Sequence, residues 1–219
     1  MIKRTADLKP VAKTAVKQTP KSLGGRPTTE RAAEIAGTVM AATIQAFAGS
    51  GSDFSMDEVA KMAGVSKQAI YRRWTSKFDL LADAVTFGLE QMNREGDEIV
   101  ASNPLDALRQ VSWQRMSGDP QLGTRLSFFL IAESFRNEAI KKHLNDLRPK
   151  ILGVFIRRLE ELERVGLRAE GDIVSQAEIL NDLLNAATHS LVIRGTTGAA
   201  DMAREFEIRW QAFCKIAIK

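Results

Sequence analysis

The chain has 219 residues, 44% hydrophobic and 26% charged, with a formal net charge of +4; this allows one large domain or two small ones and excludes wholesale disorder. A single cysteine, Cys214, excludes an intrachain disulfide framework and leaves a paired-cysteine metal site without ligands. The longest fully apolar stretch, Phe128 to Ala132, falls far short of the roughly 20 residues of a membrane span, so the chain reads as a soluble, cytoplasmic protein with no membrane partner, and that stretch as part of a buried helix.

Charge is uneven. Up to Pro27 the chain carries seven cations (Lys3, Arg4, Lys9, Lys13, Lys17, Lys21 and Arg26) against one acid, Asp7, a local net of +6 that leaves −2 for the remainder. This segment is rich in Lys, Thr, Pro and Ala and has too few large apolar side chains to offset its backbone entropy. Residues 1–25 are therefore expected to be a disordered basic arm. It suits a solvated tail, a targeting leader or an electrostatic strap along an anionic polymer.

From Thr28 onward helical periodicity recurs and strand alternation is lacking. Ala32, Ile35, Ala36, Val39, Met40, Thr43, Ile44 and Phe47 form a stripe at three- and four-residue spacing, closed by Gly49. Ser55 with Glu58 three residues on is a capping box that opens a short second helix, its Met56, Val59, Ala60 and Ala63 facing inward and Gly64 ending it. Ser66 caps a third helix from Lys67 to about Trp74, and Ser76 a fourth. Asn103-Pro104 and Asp119-Pro120 each pair a capping residue with proline at the first helical position. Leu152, Phe155, Leu159 and Leu162 mark another helix, stopped near Gly166. Asp172 caps one running to about Arg194, and Met202, Phe206, Trp210, Phe213 and Ala217 mark the last. The expected fold is all-α, with about nine helices. A small N-terminal bundle spans residues 26–77 and a larger C-terminal bundle spans 78–219.

Two short helices joined through "AGVS" have the shape of a helix-turn-helix, the glycine accepting the bend and Val65 packing beneath it. On the third helix, Ile70 and Trp74 are four apart and point to the core. Lys67, Gln68, Tyr71 and Arg72 fall on the other side, where the bundle has no use for them. An exposed helix with cations, an amide and a phenol near its N-terminus suits the DNA major groove, roughly 12 Å wide, which accepts one helix.

At these residues the chain resembles the TetR-type (tetracycline-repressor-like) bacterial transcriptional regulators. The matching stretch is "FSMDEVAKMAGVSKQAIYRRWTSKFDLLADAV", Phe54 to Val85, and the order of elements fits from Arg26 to about Met92. Ile70, Arg73 and Trp74 stand where the family more often has leucine, histidine and phenylalanine. The resemblance implies base-edge contacts from Gln68 and Arg72, with Lys67 on bases or phosphate. It implies backbone contacts from Tyr71, Arg73, Lys77 and, more weakly, Ser55, with Arg26 in "GGRP" reaching the minor groove. It also implies a homodimer on a palindromic operator in double-stranded DNA and a small-molecule effector, with no cofactor. The dimer would form through the last two long helices, with Leu180, Leu184, Phe206, Trp210 and Phe213 at the interface; the same residues also suit a monomer core. The effector pocket would lie among Trp113, Met116, Phe128, Phe129, Phe155 and His189, although aromatic residues at helical spacing equally make plain core. His143, in a charged stretch, reads as solvated.

Enzyme signatures are lacking: the sequence has no phosphate-binding P-loop, HExxH or Gly-x-Ser-x-Gly. The function expected is a ligand-released dimeric repressor. The alternative is an architectural helix-turn-helix DNA binder without a ligand switch.

Overall fold

The computed structural model describes residues 29–168 and 171–219, so the basic arm and Arg26 lie outside the described residues. Among the described residues nine α-helices follow one another: α1 (Thr29–Ser50), α2 (Met56–Ala63), α3 (Lys67–Arg73), α4 (Lys77–Asp97), α5 (Pro104–Met116), α6 (Pro120–Ser134), α7 (Glu138–Arg164), α8 (Ile173–Arg194) and α9 (Ala199–Ala217). A 3₁₀ turn, Gly51–Asp53, lies between α1 and α2. The chain is all-α, as its periodicity requires.

Local chemistry sets most boundaries. Ser55, Ser66, Ser76, Asn103 and Asp172 each accept a hydrogen bond from the backbone N–H three residues on, and Asp119 accepts two. Each bond satisfies a donor that the first helical turn leaves orphaned. Gly64 and Gly195 close α2 and α8 in the left-handed conformation, at φ 67° and 69°, where a side chain would be strained.

Two hydrophobic cores result. The first gathers Val39, Phe47, Val59, Ile70, Trp74 and the first half of α4 (Leu80, Leu81, Ala84), and it is joined by Leu130 of α6 and Ile140 of α7. The second packs α5, α7, α8 and α9 around Leu108, Phe155, Leu159, Leu180, Leu184 and Phe213. Helix α4 therefore starts in one core and ends against the other. At about 1.5 Å per residue its 21 residues span roughly 30 Å.

Polar clasps hold α4. Arg158 of α7, with its side chain buried, donates to the carbonyls of Gly96, Asp97 and Ile99 at 2.7–3.1 Å, satisfying the orphan acceptors at the C-terminus of α4. His143 Nε2 lies 3.0 Å from the Ala82 carbonyl and 2.9 Å from Thr86 Oγ1. That corrects the expectation of a solvated histidine: it is half-buried and ties α7 to the middle of α4. Arg125 of α6 similarly donates to the Ala48 and Phe47 carbonyls at the end of α1.

The apolar run Phe128 to Ala132 is only partly buried. Leu130 is inside, while Phe128, Ile131 and Ala132 are exposed. Five consecutive helical residues sweep more than a full turn, so a helix packed on one side cannot bury them all.

Candidate functional site

Helix α3 has only seven residues, too few to be stable alone. Burial and one hydrogen bond seat it. Ile70 and Trp74 are buried in the first core. The Trp74 indole N–H also donates to Asp83 Oδ2 on α4 at 2.8 Å. Arg73 stacks its guanidinium over the Trp74 ring at 4.9 Å.

With Ile70 inward, the opposite face is open. Lys67, Gln68, Tyr71, Arg72 and Arg73 are all exposed, and Gln68 and Arg72, four apart, share the outward side. Neither Gln68 nor Arg72 has a hydrogen-bond or ion-pair partner among the described residues. An amide and a guanidinium so presented can each make the bidentate contacts that adenine and guanine edges accept in a major groove.

The flanking candidates are more constrained. Lys67 Nζ is 2.5 Å from Asp57 Oδ2 of α2. The hydrogen bond from Lys67 holds the Asp57 carboxyl below its ordinary range, with a further bond from Tyr71, and Asp57 in turn raises the Lys67 ammonium. Asp57 thus ties Lys67 of the exposed face to α2, a role the sequence reading missed. No helical spacing relates residues on different helices, so the pair was invisible along the chain. Lys77 opens α4 as expected, but its Nζ donates to the Ser52 carbonyl at 2.5 Å and lies 5.6 and 5.8 Å from the Phe54 and Phe78 rings. One of its three donors clasps the turn before α2, which leaves two to meet an anion. Ser55 Oγ accepts from Glu58 N at 3.1 Å and keeps its own proton to donate.

The six residues expected around an effector pocket do not converge. Met116 and Phe155 are packed in the second core. Phe129 instead joins the first, against the Phe47 and Phe78 rings. Phe128 is exposed on α6, its ring 4.7 Å from that of His189. Trp113 lines a cleft of about 680 Å³ between α5 and α9, with Phe206 opposite. Sequence spacing assigns such residues to one side of a helix but not to a shared space.

Leu180, Leu184, Phe206, Trp210 and Phe213 are all buried within this chain, against α5 and α7 as well as each other. Their apolar surface is already used. The outward apolar positions of these helices include Val174, Ile179, Ala186 and Ile193 on α8, and Ala203, Ile208, Ala212 and Ile216 on α9.

Two other groups bear on chemistry. Arg115 donates to Asn93 Oδ1 at 2.9 Å and stacks over Phe155 at 5.4 Å; burial pushes its guanidinium down to about 10, so it stays cationic at neutral pH. Cys214 is half-buried, and burial pushes its thiol up. Among the described residues no cluster of histidine, cysteine and carboxylate side chains can hold a metal ion, and no helix is long and apolar enough to cross a membrane.

Comparison with known proteins places this geometry. Residues 39–84 match the model of the bacterial regulatory proteins of the tetR family. The DNA-binding transcriptional repressor TetR of Mycobacteroides abscessus is 28% identical over 173 residues, covering 76% of this chain and 86% of that protein. A protein from Mesorhizobium loti assigned to the TetR-family transcriptional regulators superposes with a TM-score of 0.68 at 21% identity, over 86% of this chain and 99% of the other. The Bacillus subtilis transcriptional regulator FadR, in complex with stearoyl-CoA, gives 0.62 at 16% identity, over 80% and 96%. At these identities the structural likenesses speak to the fold.

Proposed function

Starting from the finding that this chain is a TetR-type bacterial transcriptional regulator, we propose that it works as a homodimeric repressor that reads a palindromic operator with α3 and leaves it when a small molecule binds the C-terminal bundle. Residues 26–77 form the reading unit and 78–219 the effector and dimer unit, with α4 crossing between them. The observation that carries the reading is the outward placement of Gln68 and Arg72 on a helix whose other side is anchored by Ile70 and Trp74.

Each residue then has a task. Gln68 and Arg72 contact base edges, and Lys67 serves bases or phosphate once it releases Asp57. Tyr71, Arg73, Lys77 and Ser55 hold the backbone, while Arg26 and the upstream lysines add minor-groove and non-specific attraction. A seven-residue helix contacts few base pairs, so specificity requires two copies set about one helical turn of DNA apart. The exposed isoleucines of α8 and α9 supply a face for that pairing. The relative bound to stearoyl-CoA supports a small-molecule effector for this chain too. Because α4 is one continuous helix clasped at its middle by His143 and at its end by Arg158, a shift of its C-terminal half reaches the reading unit. The distance between two reading helices then changes, and docking on both half-sites becomes unfavourable.

The test is selection of fragments of the source genome by the purified full chain, followed by footprinting. A two-fold symmetric protected site is expected. Uniform retention of all fragments, without a preferred site, would replace the repressor by an architectural binder.

A further inference from the structure

The cleft between α5 and α9 already holds a cation of the chain's own. Arg109 of α5 extends across it, its Nη2 2.5 Å from Glu207 Oε2 of α9 and its guanidinium carbon 5.9 Å from the Phe206 ring centroid. Trp113 meets Phe206 edge-on, centroids 5.2 Å apart and planes at 73°, so the two rings make a corner. Asp106 stands at the rim, engaged by the Ser102 hydroxyl and the Asn103 amide but by no cation. The ionisable groups of the lining are thus two carboxylates against one guanidinium. At about 680 Å³ the space far exceeds what the Arg109 side chain fills, and it lies in the range of small-molecule sites.

An aromatic corner, a carboxylate beside it and a net negative lining are what an organic cation requires. An anion would meet two carboxylates and gain only a guanidinium already paired. We propose that this cleft is the binding site of a small organic cation with an apolar ring, an ammonium or amidinium that displaces Arg109 from Glu207 and from the face of Phe206. Arg109 is then a tethered competitor that occupies the Glu207 carboxylate and the face of Phe206 when the site is empty. The proposal deepens the reading of a ligand-released regulator and rests on it for its consequence. The cleft wall includes Ile99, two residues beyond α4, and Gln114 of the same wall donates to Glu95 in the last turns of α4 at 3.0 Å. A ligand that parts α5 from α9 therefore bears directly on the far end of the helix that carries the reading unit.

The experiment is calorimetric titration of the full-length protein, without DNA, with benzyltrimethylammonium at fixed ionic strength. Phenylacetate serves as the anionic counterpart, and helicity is checked by circular dichroism. Binding of the cation is expected, tightened about tenfold in Arg109→Gln and weakened about tenfold or more in Glu207→Gln, with helicity unchanged in both. Failure of the cation to bind, preference for phenylacetate, or weaker binding in Arg109→Gln would each overturn the site. A parallel operator-binding assay separates the two readings. Cation binding with the expected variant effects but no loss of operator affinity upholds the cleft and removes its regulatory consequence. Absence of binding removes the cleft and leaves effector control to be sought elsewhere in the bundle.

Discussion

Replacing Trp74 by phenylalanine, the residue more usual at this position in the family the chain resembles, tests how α3 is held. Trp74 is only 5% exposed, and its indole N–H donates to Asp83 Oδ2 at 2.8 Å. A hydrogen bond to a charged acceptor contributes about 1.5–3 kcal/mol when fully desolvated. Asp83 sits at an exposed position and regains water when its donor is removed, so about 1 kcal/mol is the appropriate share. Phenylalanine also leaves part of the indole volume empty, worth about 1 kcal/mol more. Urea denaturation should therefore show a loss of about 2 kcal/mol for Trp74→Phe and about 1 kcal/mol for Asp83→Ala. The double variant should be less destabilised than the sum by about 1 kcal/mol, the coupling of the pair. A coupling near zero would mean that the bond contributes nothing and that packing alone seats α3.

Arg72→Ala should cost about 1–3 kcal/mol in operator affinity and relax preference at one base position per half-site, read by binding to a panel of singly substituted duplexes; an equal loss on every duplex would make Arg72 a backbone contact. Removing residues 1–25 should lower the slope of log affinity against log salt while the preferred site stays the same. Ile208→Glu combined with Ile216→Glu should give helical monomers by light scattering, because both side chains point away from the chain's own core; a persistent dimer would move the pairing face off α9. With its thiol pushed up by burial, Cys214 should react with a maleimide at neutral pH more slowly than free cysteine and should speed up as pH rises; a faster reaction would indicate an activated thiol instead.

The features legible along the chain are those decided by a few adjacent residues. Ser55, Ser66, Ser76, Asn103, Asp119 and Asp172 can be read as caps because the acceptor and the N–H it satisfies lie two or three residues apart. The exposed face of α3 was equally legible, since the helical period separates Ile70 and Trp74 from Gln68 and Arg72. What was hidden depends on where helices meet. Leu180 and Phe206 are apolar whether they face this chain's core or a partner, and only packing decides which. Arg158, His143 and Arg125 find the groups they clasp on other helices 57 to 78 residues away, and nothing in their own neighbourhood marks a polar side chain as a helix clasp. The α5–α9 cleft is of the same kind: Trp113 and Phe206 are separated by most of the C-terminal bundle in sequence and form one corner in space.

The central claim is that α3 enters the major groove with Gln68 and Arg72 against the bases. Attaching a DNA-cleaving iron chelate at Gln68→Cys, in a Cys214→Ser background, and mapping the cuts on a selected operator measures this directly. The account predicts cleavage focused at the centre of each half-site with the offset between strands that marks the major groove. Cuts spread evenly along the bound duplex, or an intact duplex in a stable complex, would contradict it.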